Sequence, residues 1–112
     1  MPRPRKCRRV EGPPGHTRFA PEGCKAGRRH VSLHVDEYET IRLIDALKFT
    51  QQEAAKRMGV GRSTVQSIYD KAREKIAIAL VNGYKIHIEG GDIEFSEANP
   101  KSKTEKGNGL QE

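Results

Sequence analysis

The chain has 112 residues, a mass of 12.6 kDa and a formal net charge of +6, which is room for one small domain with tails and excludes a large multi-domain enzyme. Of its 22 Leu, Ile, Val and Phe residues, 19 fall between Val31 and Phe95, so the folded part is expected in the middle. Residues 1–30 hold nine Lys/Arg against two Glu, residues 31–95 nine against ten, and residues 96–112 three against three. The whole excess therefore sits in a basic N-terminal arm, which points to a polyanion as partner. An anionic membrane is disfavoured, because the sequence shows no apolar run of about 18 residues, no signal segment and no acylation motif. A cytoplasmic protein is expected, in a compartment where Cys7 and Cys24 stay reduced thiols.

In chain order, residues 1–30 are rich in Pro, Gly, Arg and Lys and lack periodicity, so they read as a largely irregular, disordered arm. Val31-Ser32-Leu33-His34-Val35 alternates as a short strand does. Asp36 is expected to cap a first helix, with Glu39 closing a capping box, an apolar face at Tyr38, Ile41, Leu43, Ile44 and Leu47, and an end near Leu47. The signal repeats at once: Thr50 caps a second, short helix, Glu53 closes its box, Phe49 staples onto Ala54, and Gly59 stops it at Met58. A third helix starts near Gly61 to Ser63, carries Val65, Ile68, Ala72, Ile76 and Ala79 on one face, and ends at Asn82-Gly83. Residues 84–89 and 92–95 alternate around Gly90-Gly91 and predict a two-residue β-hairpin. Residues 96–112 read as a disordered polar tail. The divisions are thus a 1–30 arm, a 31–95 domain and a 96–112 tail.

Two helices separated by three residues pack steeply only where the crossing positions are small or suitably shaped, and Gln51 to Asp70 meets that demand. Ala55 allows close crossing, Gly59 opens the turn, Val60 plugs it from below, and Ala54, Met58, Val65 and Ile68 complete the interface. An ordinary helical hairpin is the plainer alternative. The polar outer face favours a helix-turn-helix, whose second helix enters the major groove. Arg62, Ser63, Thr64, Gln66 and Ser67 are the candidate base-reading residues: Arg62 can bond guanine bidentately and Gln66 the N6/N7 edge of adenine. Thr50, Gln51 and Lys71 are candidates for phosphate. Asp70 either reads a cytosine amino group or marks where the helix leaves the groove.

The arm carries Arg3, Arg5, Lys6, Arg8 and Arg9 as further DNA-binding candidates. It resembles an AT-hook core suited to a narrow minor groove, the alternative being a solvated basic tail with nonspecific affinity. Cys7, His16, Cys24 and His30 lack the knuckle spacing of a zinc site, and His34 and His87 alternate with apolar residues as solvent-facing strand positions do. No metal or cofactor is expected. No Gly-rich phosphate loop, metalloprotease motif or nucleophile elbow occurs, so an enzyme is not expected either, and acids such as Asp36 and Glu39 read as caps.

The run Val35 to Leu43, the Met58-Gly59-Val60 turn, Ala72 to Ile76, Ala79 to Gly83, Ile88 to Gly91 and the opening Pro2 to Arg9 together resemble Uncharacterised Protein Family 0251, also called domain of unknown function 134. The resemblance implies DNA binding through a helix-turn-helix similar to the last region of sigma factors. A Ser commonly caps the third helix in such proteins, where this chain has Gly61, and Gly15 to Arg29 match the family least. The expectation is therefore a mainly α, three-helix helix-turn-helix module with a C-terminal β-hairpin, which binds double-stranded DNA as a homodimer and regulates transcription. The dimer surface is expected at Ile76, Ile78, Leu80, Val81 and the hairpin. The alternatives are an adaptor gripping a partner such as RNA polymerase, and RNA binding through the arm.

Overall fold

The computed structural model describes residues 7–23 and 27–95. Their elements are β1 (Arg8–Val10), β2 (Arg18–Phe19), β3 (His30–Leu33), α1 (Val35–Thr40) continued by wide π-helical turns (Ile41–Ala46), α2 (Gln51–Met58), α3 (Arg62–Asn82), β4 (Lys85–Ile88) and β5 (Ile93–Phe95).

Three helical segments are present in the expected order, with one difference at the first. His34, not Asp36, is the residue before α1, and Glu37 Oε1 accepts from its backbone N–H at 2.8 Å. Asp36 and Glu39 lie inside the helix and are buried, because each has a cation to meet there. The wide turns end with the Leu47 N–H bonded to the Arg42 carbonyl at 2.9 Å, after which Lys48 takes a positive φ of 66° and turns the chain toward α2.

The expected hairpin does not form. β4 is the middle strand of a three-stranded sheet, antiparallel to β2 (Arg18 opposite His87) and parallel to β3 (Leu33 opposite Ile88). With both edges of β4 occupied, β5 pairs instead with β1, in parallel, Arg8 opposite Ile93 and Val10 opposite Phe95. Gly90 and Gly91 lead the chain past the start of α1: the Val35 N–H donates to the Gly90 carbonyl at 3.0 Å. A Cβ on Gly91 would stand 3.0 Å from Asp36 Oδ1.

The irregular arm needs the same correction. Val10 is fully buried, and β1 and β2 belong to the two sheets, so the folded unit reaches back to Arg8. These strands are recruited by distant partners and leave no periodic trace of their own. Arg3, Arg5, Lys6, Cys24 and the tail of residues 96–112 lie outside the described residues.

The apolar interior has two parts, and α3 runs through both. Leu43, Ala54, Ala55, Met58, Val65 and Ile68 form the first, with Ile44, Leu47, Phe49 and Val60 against it. Val10, Leu33, Val35, Ala72 and Ile88 form the second, with Tyr38, Ile41 and Ile76 among those against it. The first part holds α2 across α3; the second fixes the sheets to the rest of the helix. No helix among the described residues is long and apolar enough to cross a membrane.

Candidate nucleic-acid interface

Local chemistry sets the geometry of α2, the turn and α3. Thr50 Oγ1 accepts from the Glu53 N–H at 3.1 Å while Glu53 Oε1 accepts from the Thr50 N–H at 2.9 Å, closing the capping box. The Thr50 N–H and hydroxyl, both donating to Glu53 Oε1, hold the Glu53 carboxyl below the usual carboxylate range. Gly59 follows Met58 with φ +71°, a left-handed conformation that ends α2 without a Cβ penalty. Its N–H and that of Val60 return to the last turn of the helix at 3.2 and 3.1 Å. Gly61 precedes α3 in extended conformation and supplies no capping side chain.

Along the first turns of α3 the two faces separate as the spacing predicts. Val65 is 0% exposed and Ile68 is buried, whereas Arg62, Ser63 and Ser67 are exposed and Thr64 and Gln66 half-exposed. All five candidate base readers therefore lie on the open side of α3, spread over about half its circumference. Asp70 has a role that the residue types alone left open: its Oδ1 accepts from Gln66 Nε2 at 2.8 Å, one helical turn away. That bond aims the Gln66 amide along this side and leaves its second N–H and its carbonyl free. The four-residue spacing was the available signal.

The three phosphate candidates differ. Lys71 is exposed. The Thr50 hydroxyl is engaged in the cap and also donates to Glu53 Oε1 at 3.2 Å. Gln51 Oε1 is buried with no hydrogen-bond partner among the described residues, and its amide nitrogen is the side-chain group able to donate to an anion.

The two described arm candidates divide. Arg8 forms ion pairs within the fold, Nε standing 3.8 Å from Asp36 Oδ2 and Nη1 3.5 Å from Asp92 Oδ2. Arg9 is exposed, and its guanidinium lies against the Gly59 turn.

A second polar cluster lies on the three-stranded sheet. His30, His87 and Glu89 offer three ligand atoms within 4.8 Å of one another. The two imidazole rings are stacked, however, with centroids 4.0 Å apart and planes 16° from parallel, so their in-plane lone pairs do not converge on one ion. Arg18 Nη1 also stands 3.2 Å from both ring nitrogens of His87. Burial, Arg18 and His30 together push the His87 imidazole below its ordinary value. Of the four residues first considered for zinc, Cys24 is outside the described residues, while Cys7, His16 and His30 are exposed.

Comparison with known sequences adds the family. The pattern that defines the protein of unknown function DUF134 matches residues 1–96. The chain belongs to this family. Its relatives include a UPF0251 protein of Desulfitobacterium hafniense (strain DSM 10664 / DCB-2), 55% identical over 93 residues that cover 82% of this chain and 74% of the relative. Others are a UPF0251 protein of Caldicellulosiruptor bescii, 47% identical over 85% of this chain and 66% of the relative, and one of Clostridium novyi (strain NT), 46% identical over 82% and 63%. No solved structure matches the chain.

The DUF134 chain also contains an ion-pair network that sequence reasoning missed. Arg42 binds Glu39 twice, Nε to Oε1 and Nη2 to Oε2, both at 2.8 Å, and reaches Glu11 Oε1 at 2.7 Å. Arg57 Nη1 holds the other Glu11 oxygen at 2.7 Å, with its guanidinium 4.4 Å above the Phe49 ring. Glu11 is 31 positions from Arg42 and 46 from Arg57. At such separations only the Glu39–Arg42 spacing was readable in advance.

Proposed function

We propose that this DUF134 protein binds double-stranded DNA sequence-specifically through α2, the Gly59 turn and α3, and regulates transcription in the cytoplasm as a symmetric dimer. One observation carries the reading. Arg62, Ser63, Thr64, Gln66 and Ser67 form an uncovered polar side on a helix whose opposite face is sealed against α2. The residue types support it as well, because a guanidinium and a carboxamide one turn apart suit guanine and adenine edges, and Lys71 adds a cation for phosphate.

Selection of bound duplexes from a random library, followed by fluorescence anisotropy on the winning site, tests this. Both side chains project from the helix, so Arg62→Ala with Gln66→Ala is expected to keep the fold. It should weaken binding to the selected site by roughly thirtyfold or more and relax base preference at the positions read. Replacing Arg3 and Arg5 with Gln should lower affinity for all sequences alike and reduce its salt dependence. Unchanged affinity and base preference in the Arg62/Gln66 variant would overturn the proposal.

A further inference from the structure

Strand alternation explains where the side chains of β1 go. Val10 points inward and is fully buried, so Arg9 before it turns to the opposite side, and Glu11 follows just past the strand's end. There the Glu11 carboxylate is gripped by two cations from different segments, Arg42 Nη2 at 2.7 Å and Arg57 Nη1 at 2.7 Å. Its backbone N–H donates to Glu39 Oε2 at 3.2 Å. The end of β1 is thereby tied both to the turns that continue α1 and to α2.

Two residues earlier the guanidinium of Arg9 stands against the Gly59 turn. A Cβ built on Gly59 would stand 2.7 Å from Arg9 Nη2, 2.9 Å from Nε and 3.1 Å from Cζ. Gly59 thus serves twice, through its positive φ and through the space it leaves for Arg9. Arg8 is neutralised by Asp36 and Asp92, whereas among the described residues no carboxylate forms an ion pair with Arg9. An exposed, uncompensated cation is therefore held on the turn that leads into α3. Arg62 lies three positions beyond Gly59, at most about 11 Å of chain.

We propose that Glu11 is a positioning residue that fixes Arg9 on the Gly59 turn, and that Arg9 there contacts a backbone phosphate beside the groove entered by α3. The inference rests on the DNA-binding reading above. The partner is the sugar-phosphate backbone of duplex DNA, a uniform anion that a guanidinium binds without regard to sequence. Holding the side chain in place beforehand reduces the ordering entropy that binding would otherwise cost.

The test is anisotropy with a labelled 30-base-pair mixed-sequence duplex across a salt series, on the full chain and on Arg9→Gln, Glu11→Gln, their combination, and Glu11→Asp, with a thermal melt of each. Arg9→Gln removes one phosphate contact, so the slope of log K against log salt should fall by about 0.9. Glu11→Gln removes a negative charge, and on charge alone would tighten binding. Loss of positioning predicts the opposite, weaker binding with a reduced slope and little further loss in the combined variant. Glu11→Asp keeps the charge but shortens the reach; it should also weaken binding, and it decides the matter if Glu11→Gln does not fold. An unchanged slope in Arg9→Gln, or binding as tight as the original chain in folded Glu11 variants, overturns the inference. Measured beside them on the selected site, Arg62→Ala with Gln66→Ala separates the two claims: if that pair leaves affinity for the selected site untouched the DNA reading itself fails, and if it weakens that binding while Arg9→Gln changes neither affinity nor slope, only the positioning role fails.

Discussion

Asp36, Glu37 and Glu39 are buried carboxylates in a four-residue span, and each meets a cation from elsewhere in the fold: Arg8 from β1, Lys75 from α3, and Arg42 from the turns after α1. Such pairs add little over apolar packing, but breaking one strands a charge out of water. Glu39 is 1% exposed, and among the described residues Arg42 is the one cation paired with it. Arg42→Met is accordingly expected to lose about 3–5 kcal/mol of stability in urea unfolding, and a loss below about 1 kcal/mol would show the network to be incidental. Acid should act on the same residues. Burial pushes the Glu11 carboxyl up, but hydrogen bonds and charge from Arg42 and Arg57 outweigh it and hold the group below the usual carboxylate range. Its folded value lies below its unfolded one, so its contribution is complete above the ordinary range and is lost as pH falls through the lowered value. Asp36 works in reverse: burial raises it despite Arg8, so its share of stability declines as pH rises through the raised value. Glu11→Gln should therefore flatten the loss of stability on acidification. Urea midpoints between about pH 3 and 6 check this, and an undiminished acid limb contradicts it.

At the scale of the element, α2 and α3 were legible because their signals are local. A threonine cap with glutamate three residues on, a glycine stop, and apolar residues at helical spacing each act within one or two turns. The open side of α3 was readable for the same reason, since burying Val65 and Ile68 forces Arg62, Ser63, Thr64, Gln66 and Ser67 outward. The sheet was not readable. β2 has two residues and meets β4 through Arg18 and His87, 69 positions apart, so neither strand announces the other. The Gly90-Gly91 pair carries the local chemistry of a hairpin and is overruled because β2 and β3 occupy both edges of β4. Gly61 gives a prediction at this scale. It caps α3 with no side chain, and a Cβ there would meet nothing within 4 Å. Gly61→Ser should raise stability by a few tenths of a kcal/mol, or about 1 kcal/mol at most, through a hydroxyl bonded to the first turn. A lower melting temperature would mean that the extended backbone at Gly61 does not admit a serine cap.

For the molecule as a whole, α3 sets a length. Its 21 residues span about 31 Å, with the candidate base readers at one end and apolar side chains at the other. Ile76, first expected on the dimer surface, packs into the second part of the core, and the hairpin that was to join it does not exist. What remains is Ile78 at 42% exposed, Leu80 at 80% and Val81 at 83%. One module reaches few bases, so a specific site calls for two, with half-sites about 34 Å or ten base pairs apart. Two helices of this length meeting at their far ends bring their reading ends to that separation when they diverge by roughly 70°. The dimer proposal thus predicts that sequences selected from a random library share a two-fold symmetric core with half-sites about ten base pairs apart. It also predicts that Leu80→Glu with Val81→Glu converts a dimer to a monomer in light scattering. Both side chains are mostly in solvent in the single chain, so the variant should still fold, melting at or below the temperature of the original dimer, while losing preference for the double site over a single half-site. A monomeric mass for the original chain, or selected sites without symmetry, would place the second set of contacts elsewhere and leave the exposed end of α3 without this role.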